Sequence, residues 1–173
     1  TGDEFLDSNH IMATAKHFIG DGGTFKGIDK GDTRISEGGL KNIHGTPYYS
    51  AFEACVQSVM ASFNSWNGVK MHGHEYLLTD VLRDQMGFNG LVVGDWNGHG
   101  EVPGCTNANC PESFNAGVDI YMAPDEWKEL YTNTVRAVKA GDISEDRLDD
   151  AVRKILTVKD RLGMLDGRKP HEY

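Results

Sequence analysis

The sequence predicts an α/β fold on a parallel sheet, built from four βα units. Three observations carry that prediction. Short, nearly unbroken apolar runs alternate with segments of helical periodicity; the runs open into polar or glycine-rich stretches; and the order repeats four times as β-α. Right-handed crossovers follow from such an order. Four units make either a small open doubly wound sheet or half of an eight-stranded barrel, and composition does not choose between them. In both, chemistry sits at the carboxyl ends of the strands.

The predicted strands are Met12–Phe18, Val59–Phe63, Leu91–Gly94 and Val118–Met122. Between the first two, Thr46-Pro47 reads as an N-cap followed by proline at the first helical position, with Phe52, Cys55, Val56 and Val59 at helical spacing. Cys55 there reads as a small buried hydrophobe. The next helix covers about Glu75–Met86, with Leu77, Leu78, Val81 and Leu82 on one face and Gly87 as its stop. Asp125 is a candidate cap for a helix with the face Trp127, Leu130, Tyr131, Thr134, Val135 and Val138, ending at Gly141. Ser144 caps the last, whose stripe is Leu148, Ala151, Val152, Ile155, Leu156 and Leu162 before Gly163.

The chain has 173 residues, 39% apolar and 25% charged, with a net charge of −9. That suits one domain with a sizeable core. No window approaches ~18 consecutive apolar residues, which excludes a helical membrane span. No Lys/Arg run is present, and the negative balance argues against a nucleic-acid backbone as partner. The first residue is Thr1 and reads as a cut rather than a start. Cys105 and Cys110, separated by Thr106, Asn107, Ala108 and Asn109, read either as a local disulfide, implying an oxidising compartment, or as two free loop thiols.

The strand ends hold the chemistry. Lys16-His17-Phe18 closes the first, Asn64-Ser65-Trp66-Asn67-Gly68 follows the second, Gly94-Asp95-Trp96 follows the third, and Ala123-Pro124-Asp125 follows the fourth. A cation, an imidazole, a carboxylate and two indoles thus share one rim. Aromatic faces beside a few charged hydrogen-bonders suit a sugar, and a carboxylate among them suits a nucleophile at an anomeric carbon. Taken singly, each residue also has a structural reading: Asp95 as a turn cap, Lys16 as a solvated charge, His17 as a structural hydrogen-bonder, Trp66 and Trp96 as core aromatics. The run Gly20–Gly31 lacks a phosphate-loop pattern, carries Asp21 and Asp29, and reads as a mobile loop over the rim. His72-Gly73-His74 lacks a third ligand at a recognisable spacing, which argues against a metal site.

Several segments together resemble the barrel domain of the family 3 glycoside hydrolases. They are Ala15-Lys16-His17-Phe18, Met60-Ala61-Ser62-Phe63-Asn64-Ser65-Trp66-Asn67-Gly68, Met71-His72-Gly73 with Leu77-Leu78-Thr79, Gly87 through Trp96, Ala116-Gly117-Val118-Asp119-Ile120, and the closing helix from Arg147 to Leu156. The likeness runs through nearly the whole chain in family order. It implies that residues 1–173 are the second, C-terminal half of a (β/α)8 TIM barrel, a fragment of a longer parent. The N-terminal half-barrel, and a second domain that donates the general acid/base, then lie outside the chain.

The resemblance also implies retaining hydrolysis of terminal β-D-glucosyl residues from β-glucosides or β-glucans. Asp95 matches the nucleophile, and Lys16 and His17 match the pair that hydrogen-bonds the sugar. Trp96 follows the nucleophile as in glucan-active members, and Phe63 stands where many members have tyrosine. No cofactor, metal, nucleic acid or membrane is implied. The loop after Lys16-His17 lacks the Asp-Ser-His of the hexosaminidase branch, which favours a glucoside-type parent. With the disulfide reading, the likeness leans towards a periplasmic or secreted location. Rival readings are a receiver-type signalling domain phosphorylated at Asp95, a Schiff-base enzyme using Lys16, and a non-catalytic sugar-binding or structural half-barrel.

Overall fold

The computed structural model describes residue 6 and residues 10–167; Thr1 lies outside them. In chain order come β1 (Thr14–Phe18), β2 (Asp32–Thr33) and α1 (Glu37–Gly39), which runs through a wide π-type segment, Leu40–Gly45, into α2 (Thr46–Glu53). Next are β3 (Ser58–Ala61), β4 (Ser65–Trp66), β5 (Val69–Lys70), a π-type helix over Tyr76–Gln85, and β6 (Leu91–Val93). The chain then continues into α3 (Pro111–Ala116), α4 (Trp127–Ala140) and α5 (Glu145–Arg161). Strands β1, β3 and β6 form a parallel sheet in that order, with Ser58 opposite Thr14 on one side and Leu91 on the other. Phe18, Val59, Ala61, Leu78, Leu82, Val92 and Val118 are fully buried around it. Each large aliphatic among them contributes ~1.5–3 kcal/mol through removal from water.

The expectation of four regular βα units, the second half of a (β/α)8 barrel, is corrected here. The fourth apolar run, Val118–Met122, forms only an isolated parallel bridge between Val93 and Ile120. The reason is Asp119. Val92 accepts from the Asp119 and Ile120 amides, but its own N–H donates to the Asp119 carboxylate at 2.8 Å rather than to a backbone carbonyl. A side chain thus replaces one rung of the ladder. Arg83 and Arg147 donate to the same buried carboxylate at 2.6 and 2.9 Å. Beyond the bridge, Gly94 donates to Ile120 and Asn97 to Met122, each at 2.8 Å. The run therefore still follows β6 and braces the loop after it.

A second sheet, in the order β2-β4-β5, is invisible as periodicity because each strand has two residues. It ties down the glycine-rich segment expected to be a mobile loop. The Thr33 hydroxyl donates to the Gly20 carbonyl at 2.7 Å, Ser65 N–H to Gly31 at 2.9 Å, and Lys70 Nζ to the Lys30 carbonyl at 3.0 Å.

Helix ends follow local chemistry with two exceptions. Ser144 caps α5, accepting from Arg147 N–H at 3.1 Å, with Glu145 and Asp146 in the first turn and Lys159 and Arg161 in the last. Thr46 is not a cap. The helix has already begun after Ser36, whose hydroxyl accepts from Gly39 N–H, and the Thr46 hydroxyl donates back to the Asn42 carbonyl just before Pro47, which has no N–H to give. Asp125 does not cap α4, whose Ncap is Glu126 without a side-chain bond. Cys55 lies just past α2 at φ +62° and is half-buried rather than packed in a helix. Of the two readings of Cys105 and Cys110, the structure has the disulfide, with Cα atoms 4.8 Å apart.

Candidate active site

The loop after β6 places Asp95 at the carboxyl end of the sheet's third strand. Its two carboxylate oxygens do different things. Oδ1 accepts from the Trp96 N–H at 2.7 Å, the turn-capping role. Oδ2 lies 3.4 Å from His17 Nε2, at the carboxyl end of β1. The His17 Nδ1 faces Asp21 Oδ2 at 3.2 Å, so one imidazole stands between two carboxylates. Asp95 is mostly buried, with 17% of its side chain exposed.

Below Asp95 sits His72, on the short turn Met71–Gly73, 2% exposed. Its Nε2 accepts from the Asp95 backbone N–H at 2.8 Å, and the Ser62 carbonyl is its other backbone partner. Burial pushes the His72 pKa down to about 4, against the pull of the Asp95 charge, with His99 and Lys70 adding to the fall. The nearby His99 is buried as well, held by the Asn107 carbonyl at 2.9 Å, and burial lowers its pKa too.

The other expected site residues are distributed unevenly. Lys16 is exposed and lines a cleft of about 470 Å³ with His17, Asp21, His44 and Tyr48; Asp95 does not line it. Adjacent strand residues normally face opposite ways, but β1 is irregular in register between Ala15 and Phe18, and both Lys16 and His17 reach the cleft. His17 therefore joins the cleft to the carboxylate. Phe63 lies with its ring 6.0 Å from that of His72 and with Lys30 Nζ 4.5 Å from its centroid. Trp96 is 58% exposed and offers an open indole face beside Asp95. Trp66 does not join it: its Nε1 donates to the Ile35 carbonyl at 2.8 Å and its ring packs near His74. Asp125 is exposed.

Sequence reasoning misses three participants. It sees Asp21 only as a charge in a loop without a phosphate pattern, and His72 only as half of a disfavoured metal pair and as part of a family-like segment, with no role of its own. The third is an ion-pair group of Lys30, Lys70 and Glu101, with Lys30 2.9 Å and Lys70 3.7 Å from the carboxylate. The Lys30 hydrogen bond holds Glu101 below the usual carboxylate range against the cost of its burial, and Lys70 adds to that. No local signal exists for His72 or for this group, because each depends on residues tens of positions away. Cys105, Cys110 and Glu112 are the group among the described residues with metal-ligand spacing, and both of its sulfurs are bonded to each other.

The arrangement is a carboxylate with one oxygen turned towards an imidazole, that imidazole and an ammonium at the end of the edge strand β1 on the far side of β3, and an exposed indole. Comparison with known proteins shows the family. Residues 4–158 match the model of the glycosyl hydrolase family 3 N terminal domain. A β-xylosidase of Formosa agariphila is 36% identical over 97% of this chain and 25% of its own length. A periplasmic β-glucosidase of Salmonella typhimurium is 33% identical over 95% of the chain and 22% of its own. Among solved structures, an exo-1,3/1,4-β-glucanase variant from a Pseudoalteromonas species superposes with a TM-score of 0.96 at 53% identity, covering 98% of this chain and 27% of that one.

The chain thus spans about a quarter of the length of these relatives. The match also corrects the placement drawn from the resemblance. The domain matched is the family's N-terminal, (β/α)8-like domain, not a C-terminal half-barrel lacking an N-terminal partner. Matching the segments to the last four βα units of the family produces that error, and only three of the four apolar runs are regular strands.

Proposed function

This chain belongs to glycosyl hydrolase family 3, and on that premise we propose that it carries the nucleophile side of a retaining β-glucosidase or exo-β-glucanase within a longer protein. The observation that carries the proposal is Asp95: a strand-end carboxylate with one oxygen spent on its own turn and the other turned towards His17. In the first step Asp95 attacks the anomeric carbon while an acid protonates the leaving oxygen. Water then hydrolyses the glycosyl-enzyme, and the two carboxyl groups of such a pair stand ~5–5.5 Å apart. His17 and Lys16 hydrogen-bond the sugar hydroxyls, Trp96 stacks on a sugar face, and the Phe63 ring adds an apolar edge beside His72.

The proton donor comes from outside the described residues. Glu101, held ionised by two lysines, is in the wrong state to give up a proton. The sulfur bridge between Cys105 and Cys110 favours a periplasmic or secreted setting, in line with the name of the Salmonella relative.

The test is a 2-deoxy-2-fluoro-β-glucoside with a dinitrophenolate leaving group, which needs no acid at the first step. Applied to the full-length protein and followed by intact mass and peptide mapping, it should leave one sugar on Asp95. A folded, unlabelled protein, or a label on another residue, would sink the assignment. The 2-fluoro-xyloside run in parallel reads the sugar preference, since one relative carries the name β-xylosidase.

A further inference from the structure

The backbone of the loop that presents Asp95 is tied to other backbone at three points. Gly94 N–H goes to Ile120, Asn97 N–H to Met122, and Gly98 N–H to the Asp95 carbonyl at 2.9 Å. The Asp95 N–H itself does otherwise and donates to His72 Nε2. An amide can only donate, so Nε2 must present a lone pair and the ring proton must sit on Nδ1, on the side of the Ser62 carbonyl. An imidazolium has no acceptor and cannot make this contact.

The loop is also shaped around the ring. A Cβ added at Gly98 would lie 2.3 Å from His72 Cε1 and Nε2, and one at Gly94 would lie 3.4 Å away. The glycine at position 98 therefore lets the main chain close over the imidazole, while Gly94 lies at ordinary contact distance from it. We propose that His72 is a positioning residue for the nucleophile: its neutral Nδ1–H tautomer grips the Asp95 backbone amide and fixes where the carboxylate points. The inference rests on the reading of Asp95 as nucleophile and assigns His72 no contact with sugar.

The arithmetic of positioning makes the role measurable, because a misplacement of about 1 Å costs about 100-fold in rate. In the full-length protein, His72→Asn keeps an amide near Nδ1 and leaves nothing at the Nε2 position; His72→Gln can put its carbonyl oxygen there. The labelling rate with the 2-fluoro-glucoside should fall about 10- to 100-fold in the Asn variant. Glucose inhibition should stay within about threefold, and the Gln variant should recover most of the rate. Folded Asn and Gln variants that label at the wild-type rate, or that fall equally, would overturn the proposal.

Should the Asn variant fail to fold, the pH profile decides. Asp95 is the charge that favours a proton on His72, while His99 and Lys70 oppose it. Wild type and the Gln variant should both lose rate in acid as the Asp95 carboxylate is protonated, and wild-type labelling should fall more steeply than the Gln variant because protonation of Nε2 adds to that loss. Identical acid limbs would count against the role. Wild type labelled at a residue other than Asp95 would instead remove the active-site reading on which this one stands.

Discussion

The two walls of this site are built on opposite principles. On the β6 side Asp95 rests on His72, 2% exposed, under Gly98, which has no space for a side chain, beside a loop braced by the Val118–Met122 run. On the β1 side Lys16 is exposed and His17 and Asp21 face a wide cleft. One wall is over-determined by burial and hydrogen bonds; the other is open and polar. The contrast suits the division of labour proposed here. A nucleophile must be held to within a fraction of an ångström, whereas sugar hydroxyls are gathered by groups that keep some solvent access.

The comparison breaks most visibly at Asp119. This carboxylate has no exposed side-chain surface and is shared by Arg83, Arg147 and the Val92 N–H. Asp119→Ala should cost about 3–5 kcal/mol, since it takes the shared carboxylate from two partly buried guanidinium groups and leaves Arg147 only the longer contact to Asp150. Denaturant unfolding of the full-length protein checks this, and a loss under about 1 kcal/mol would mean that water or other groups replace the carboxylate. Lys16→Ala, on the open wall, should change stability little by the same measurement.

Acid should act on the closed wall next. Unfolding returns the His72 ring from about 4 to its ordinary pKa of 6.5. Between those values the unfolded chain binds more protons than the folded one, so stability falls as pH falls through that window. The contribution is up to about 3 kcal/mol, and the lowered pKa of His99 acts in the same direction. A His72→Gln variant should show a shallower loss from pH 6.5 to 4 in urea titrations; an unchanged slope would place the effect elsewhere.

The smallest effect belongs to the open wall. Trp96→Ala removes an indole that is 58% exposed and makes no side-chain hydrogen bond among those found. Sugar binding should weaken by about tenfold, ~1.4 kcal/mol, with the unfolding midpoint unmoved. Measuring KM for an oligosaccharide beside a calorimetric scan separates the two, and a fall in stability without a change in KM would make Trp96 structural.

How much of this is legible in the sequence differs between the same two walls. Asp95, Lys16 and His17 are readable because each ends an apolar run, and position at a strand end is a one-dimensional property. Trp96 is readable for the same reason, whereas Trp66, equally close to a strand end, turns inward to the Ile35 carbonyl. Nothing in its neighbours says which way an indole points. His72 is hidden because its partner is 23 positions away, and Asp21 because its partner is the far nitrogen of a residue already given another role.

By itself, then, the sequence determined the parallel α/β character, three of the strands, the α5 cap and the strand-end position of Asp95. Each of these is set by local periodicity or by a terminus that needs a particular donor or acceptor. Tertiary structure alone decided that the fourth run would be a bridge and that a two-residue-strand sheet would pin the glycine-rich segment. It also decided that His72 would sit neutral beneath Asp95. Those outcomes depend on which distant polar group reaches a buried amide first, and that competition takes place between segments that only the packed chain brings together.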